Sequence, residues 1–105
     1  MYSFDFKNMI IELKKFGTTL SSRDSGREAY NAILLVLNNL QNEEELILDF
    51  AGVNTFTPSW GDEFISNIYR KNSKKLVLVN TKNQSVKATL ELLSEINNMK
   101  FNIKE

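Results

Sequence analysis

Two short, nearly continuous apolar runs constrain the fold of this chain more than any other feature: Leu46-Ile47-Leu48-Asp49-Phe50 and Lys75-Leu76-Val77-Leu78-Val79. Runs of this kind read as strands buried on both faces, the habit of parallel sheets covered by helices. Segments of helical period surround them. Ala29, Tyr30, Ile33, Leu34, Leu37 and Leu40 precede the first run. Trp60, Phe64, Ile65, Ile68 and Tyr69 lie between the two, and Val86, Leu90, Leu93 and Ile96 follow the second. Each set recurs at the spacing of one helix face. Strands separated by helices of this length need crossover connections and therefore lie parallel.

The flanks complete the pattern. Tyr2-Ser3-Phe4-Asp5-Phe6 alternates as a short edge strand does, and Met9 to Leu13 reads as a second strand. Lys14 to Leu20 forms a loop around Gly17. The first helix begins within Ser21 to Glu28, where Ser25 and Glu28 have capping-box spacing, and Asn38 to Asn42 ends it. The second helix starts between Thr57 and Ser59 and runs to about Lys71, and Asn83 or Ser85 caps the third. Met99 to Glu105 either adds a last short strand or packs loosely. The order β-β-α-β-α-β-α, with an optional final strand, predicts a small α/β fold. Its sheet is a single layer, mixed and mainly parallel, flanked by about three helices in one domain spanning 1–105.

Composition narrows the chemistry. The 105 residues include no Cys and no His. Disulfides, thiolate sites, His-based acid–base pairs and His-ligated metals are therefore excluded within this chain. A metal site would have to use carboxylates alone, with Mg²⁺ or Ca²⁺ as the ion. Thirteen basic residues balance 13 acidic ones, so no global field favours nucleic acid. The cluster Arg70-Lys71 with Lys74-Lys75 has only Tyr69 beside it and reads as a solvated helix end. No apolar run approaches the roughly 18 residues of a membrane span, and Met1 to Phe16 has no signal-peptide pattern. The expectation is a cytoplasmic protein with no catalytic residue, no cofactor and no metal.

Candidate function concentrates in the hinge from Asp49 to Ser59, because sites in open α/β sheets gather beyond the carboxyl ends of strands. Gly52 permits a tight turn, and Asp49 is placed to order the loop after it. Pro58 suits a first helical position with Thr57 as cap; in the other register Ser59 caps, with Asp62 three residues on. Ser59 is thus a cap, a modification site or a ligand contact, and the frequency of serine caps puts the first use foremost. Arg23 either pairs with Asp62, Glu63 or Asp49, or forms an anion-binding arm beside Ser59. Asp62 and Glu63 are adjacent, so on a helix they point about 100° apart, which speaks against a catalytic carboxylate pair. One is expected to meet Arg23 while the other faces solvent. Trp60 is a core anchor or a partly exposed contact.

The same residues carry a resemblance. Leu46-Ile47-Leu48-Asp49-Phe50-Ala51-Gly52-Val53 followed by Thr57-Pro58-Ser59 resembles the STAS domain of anti-sigma factor antagonists. Two further segments, Ser22-Arg23-Asp24-Ser25-Gly26 and Ser59-Trp60-Gly61-Asp62-Glu63-Phe64, are similar to those of the STAS-like family of unknown function found in bacteria and phages. Asn80-Thr81 and Ser85-Val86-Lys87 also match that family, and the likeness runs from about Met9 to Ile96. It implies a STAS-like fold and partner switching. The unmodified domain would bind a regulatory ATPase-type kinase, and phosphorylation at the position of Ser59 would release it. Thr57, Trp60 and Arg23 would then belong to the contact surface. Pro58 replaces the usual second hydroxyl, and the bulky Trp60 replaces a small residue. Asp62 and Glu63 would oppose a phosphate, which favours a constitutive binding or structural role. The alternative is a small anion- or nucleotide-binding sensor, or an accessory or inhibitory protein of a bacterial defence or phage counter-defence system.

Overall fold

A computed structural model describes residues 2–4 and 8–104. β1 (Tyr2–Phe4) runs antiparallel to β2 (Asn8–Glu12), with Ser3 opposite Ile10. Asp5 and Phe6, the end of the first expected strand, lie outside the described residues, as does Glu105 at the end of the tail. The expected loop after β2 is more ordered than its composition suggests. It holds a 3-10 turn over Leu13–Phe16, then Gly17 at φ 136, then a two-residue strand, β3 (Thr19–Leu20). α1 (Arg23–Ala32) is capped by Ser22, whose hydroxyl accepts from the Ser25 amide at 3.1 Å, so the expected Ser25 box is not formed. A turn at Ile33 separates α1 from α2 (Leu34–Asn38), and the buried stripe Ala29, Ile33 and Leu37 continues through it.

β4 (Glu45–Asp49) leads through the hinge to β5 (Thr55–Phe56), which pairs with β3 in a separate two-stranded parallel ribbon. α3 (Pro58–Gly61), a π-helical segment Asp62–Ser66 and α4 (Asn67–Asn72) then follow without a break. β6 (Leu76–Val79) comes next, and α5 (Gln84–Asn97) starts at Asn83, whose carboxamide oxygen accepts from the Val86 amide at 3.0 Å. Asn98 closes α5 in the left-handed conformation at φ 53. The tail forms a strand, β7 (Asn102–Lys104), parallel to β6.

The sheet order is β1-β2-β4-β6-β7. From β2 onward each new parallel strand is added on the same side of the last. Crossovers between parallel strands are right-handed, so a sheet that never reverses its growth carries all its helices on one face. The burial follows this rule. Cross-strand register aligns Ile11, Leu48 and Leu78, and beside them Met9, Leu46 and Leu76. These rows meet Ile33, Trp60, Phe64, Ile65, Ile68, Val86 and Leu90 in one core.

Ile10, Ile47 and Val77 align on the other face, outside that core; Val77 is buried, whereas Ile10 and Ile47 are only half-buried. The expectation that the Leu46–Phe50 strand is covered on both faces is therefore wrong. The deciding variable is the direction of sheet growth, which the composition of a single strand does not encode. With no reversal there is also no topological switch point, and so no crevice of the kind that houses ligands in doubly wound sheets.

Candidate functional site

Asp49, the last residue of β4, orders the turn that follows it. Its Oδ1 accepts from the Ala51 amide at 2.9 Å and from Asn80 Nδ2 at 2.8 Å, joining the ends of β4 and β6. Gly52 then adopts φ 84, a conformation that costs other residues steric strain. The chain returns beside β3 and the Thr18 that precedes it. The amides of Asn54 and Thr55 donate to the Thr18 carbonyl, and that of Thr57 donates to Leu20. α5 clamps this strap from the other side. The Phe56 amide donates to Ser85 Oγ at 2.9 Å, and Thr89 Oγ1 donates to the Phe56 carbonyl at 2.5 Å.

Of the two possible registers for the helix start, the structure has the one with Thr57 as cap. Thr57 is extended (φ −101, ψ 157) and its Oγ1 accepts from the Trp60 amide at 3.4 Å. Pro58 occupies the first helical position, where its missing N–H is no loss. Thr57 Oγ1 also donates to the Ser21 carbonyl at 2.8 Å, so this hydroxyl ties the two helix starts together and is not free to contact a ligand. Ser59 is therefore not the cap. It lies in the first turn, half-exposed, and its hydroxyl has no partner among the described residues.

Trp60 has no exposed surface. Its ring lies 4.8 Å from that of Phe64 and 5.9 Å from that of Phe56, and Nε1 donates to Ser25 Oγ at 3.2 Å. Of its two expected uses the structure has the core anchor, and the expectation of partial exposure is corrected. The physical reason lies across the interface, where α1 and α3 pack unusually close. A Cβ added at Gly26 would stand 2.5 Å from the Trp60 carbonyl oxygen. α1 thus passes directly over the backbone of Trp60 and closes the indole in.

Beside this contact lies a charged cluster. Arg23 Nη1 is 2.8 Å from Glu63 Oε2 and 3.5 Å from Asp62 Oδ2. The two carboxylates therefore converge on one guanidinium, against the expectation that one pairs and the other faces solvent. Asp62 and Glu63 open the π-helical segment, whose wider turn brings successive residues closer in angle than an α-helix does. Asp62 also accepts from Asn97 Nδ2 at 3.3 Å, and the side chain of Asn67 donates to the Glu63 carbonyl at 2.6 Å.

Arg27, which the spacing alone did not single out, takes the other Glu63 oxygen through Nε at 3.3 Å and bonds Asp24 at 3.4 Å. Its position four residues after Arg23, on the same helix face, is the signal that would have found it. Hydrogen bonding to Arg23, then to Arg27, holds the Glu63 carboxyl below its usual value, and Glu63 with Asp62 raises the Arg23 guanidinium further. Two arginines thus take up three carboxylates. No group of three carboxylates among the described residues is placed to hold a metal ion.

Several other basic residues are tied to the protein. Arg70 bonds Asn67 at 3.0 Å, Lys71 sits 5.7 Å over the Tyr30 ring, and Lys75 donates to the Gln41 carbonyl at 2.8 Å. No helix among the described residues is long and apolar enough to cross a membrane.

Comparison with known proteins adds one finding. A family model described as a STAS-like domain of unknown function (DUF4325) matches residues 33–86, just over half of the chain. The match takes in β4, the hinge, the Ser59–Glu63 turn and β6. No curated protein and no solved structure matches.

Proposed function

We propose a function for this chain from one premise: it belongs to the family of STAS-like domains of unknown function. The chain acts as a non-catalytic interaction module. It meets a protein partner through the paired starts of α1 and α3, and phosphorylation of Ser59 switches that contact. The partner that the STAS resemblance implies is a regulatory ATPase or kinase.

The observation that carries this reading is the free hydroxyl of Ser59. A serine at a helix start is ordinarily consumed by capping, but here Thr57 does that work and leaves Ser59 half-exposed and unpartnered. The neighbouring charges suit a switch. Asp62 and Glu63 follow Ser59 by three and four residues, so they stand on its side of the helix. Both are already paired with Arg23, whose single charge they share and which is itself half-exposed. A phosphate adds about −1.5 to −2 charges at neutral pH. On Ser59 it would compete for the Arg23 guanidinium and return charge to Asp62 and Glu63. Arg23 would then leave its resting geometry, and the surface would change both in sign and in shape. A catalytic reading draws no support from this cluster, because its carboxylates are all engaged by arginine.

The test is capture of the partner from the chain's own host, followed by titration of that purified partner. Wild type and Ser59→Ala are expected to bind within a few-fold of each other, whereas Ser59→Glu weakens binding by about tenfold or more. Equal binding by all three proteins would refute the reading.

A further inference from the structure

On the side of α5 turned away from α3, the helix, the loop after β6 and the tail into β7 border a groove of about 610 Å³. That is the size of a small-molecule site. Its floor is apolar, made by Leu90, Met99, Phe101 and Ile103. Its rim is cationic: Lys82, Lys87 and Lys100 border it against one carboxylate, Glu91. None of these four side chains has an ion-pair or hydrogen-bond partner among the described residues. By contrast Arg23, Arg27, Lys14 and Lys104 each meet a carboxylate, and Lys75 meets a carbonyl.

A second observation is independent of charge. Thr81 lines the groove and is only 3% exposed, yet its hydroxyl has no partner among the described residues. The hydroxyls of the other buried Thr and Ser residues are bonded within the protein, Thr89 to the Phe56 carbonyl and Ser66 with Asn97. That of Thr81 is not sealed from solvent, so it offers an oxygen-bearing ligand in the groove a donor that the protein leaves unused.

Topology sets the orientation. Thr81 and Lys82 follow the carboxyl end of β6, and Lys87 lies near the start of α5. α5 then runs back along the sheet, so Met99 and Lys100 stand at the opposite end. β7 returns beside β6, with Ile103 level with Leu78. We propose that this groove binds an amphiphilic anion, an alkyl carboxylate or alkyl phosphate. Its head group meets Thr81, Lys82 and Lys87, and its chain lies over Leu90, Phe101 and Met99. The ammonium groups and the hydroxyl supply donors for an anionic head, and the floor rewards removal of an alkyl chain from water. A small polar anion would leave the floor wet, and a neutral amphiphile would leave the rim unpaired.

The test is a heteronuclear NMR titration of the full chain with decanoate, decyl phosphate, acetate and octyl glucoside. Decanoate or decyl phosphate is expected to shift the Leu90, Met99 and Ile103 methyl signals saturably, below the concentration at which the probe forms micelles. The stronger of the two identifies the head group. Acetate and the neutral glucoside bind at least about tenfold more weakly. The exposed double substitution Lys82→Gln/Lys87→Gln lowers affinity about tenfold, and Thr81→Val does so several-fold with the apolar floor unchanged. Lys100→Gln, at the far end, costs less than the double change. Equal binding of the glucoside, shifts centred outside the groove, or an unchanged affinity in the double variant would overturn the proposal.

Discussion

Gly26→Ala tests the packing that underlies the candidate site. In an ordinary helix interior this change is favourable, since alanine is about 0.8–1 kcal/mol better than glycine. Gly26 is not in an ordinary place. The new Cβ would lie 2.5 Å from the Trp60 carbonyl oxygen, 3.0 Å from its Cα and 3.1 Å from its carbonyl carbon. All three are backbone atoms, so no side-chain rotation relieves the contact. A C–H···O contact settles at roughly 3.3–3.6 Å, so α1 and α3 must part by about 0.8 Å. A radial gap of that order forfeits a quarter to a half of the dispersion energy of the atoms facing it. The strain and lost packing together cost about 1–3 kcal/mol.

The same displacement acts on the hydrogen bond from Trp60 Nε1 to Ser25 Oγ, now 3.2 Å, and its loss adds about 1 kcal/mol. Set against the propensity gain, the net change is a destabilisation of about 1–3 kcal/mol. Urea denaturation followed by Trp60 fluorescence measures it. The midpoint is expected to fall by roughly 1 M with an unchanged slope. Asn31→Ala, on the exposed face of the same helix, is the control and gains about 0.5 kcal/mol. A Gly26→Ala protein as stable as wild type, alongside that gain at Asn31, would refute the close approach of the two helices.

The hinge makes a paired prediction. Thr57→Ala removes a working cap and costs about 1 kcal/mol, whereas Ser59→Ala leaves stability within about 0.5 kcal/mol, both read from urea midpoints. The reverse ranking would show that Ser59 caps the helix. Glu63 predicts a pH dependence. Arg23 and then Arg27 lower its folded pKa below the ordinary 4.5, so the unfolded chain binds more protons at acid pH. Its contribution to stability is complete above that value and is lost as pH falls toward and through the folded pKa. Glu63→Gln is therefore expected to flatten the acid limb of the stability–pH curve relative to wild type, and parallel curves would contradict the clamp.

Local periodicity made much of this architecture legible. Leu46–Phe50 and Leu76–Val79 announce strands because apolar runs of that length between helical patterns have few other uses. The helix start at Thr57 was narrowed to two registers, and Pro58 distinguishes them physically, since a residue without an N–H fits best directly after the cap. Other features were hidden for identifiable reasons. β3 and β5 are two residues each and exist only because they pair with one another across the fold. The burial of Trp60 depends on α1, whose closeness rests on the absence of a side chain at Gly26. The convergence of Asp62 and Glu63 comes with a π-helical stretch, a backbone irregularity without a residue signature. Arg27 shares the Arg23 face of α1 by its i+4 spacing, but that spacing does not name Glu63 as its partner across the interface.

The direction in which the sheet grows has the widest consequence. In a doubly wound sheet the strand order reverses, the helices part to opposite faces, and a crevice opens where ligands bind. Here β2, β4, β6 and β7 add in one direction, so the loops beyond the strands all lead to helices on the same face. The loops after β2 and β4 do not part at all. They pair through β3 and β5, with Thr19 opposite Thr55 and Leu20 opposite Phe56. The Thr57 hydroxyl then joins the start of α3 to the strand leading into α1. The result is two helix starts side by side, carrying Arg23 and Ser59 on a surface with no switch-point crevice behind it. Such a surface suits contact with another protein better than enclosure of a small ligand. A concavity arises instead where the one-way sheet ends, because β7 is a short edge strand that leaves one side of α5 uncovered.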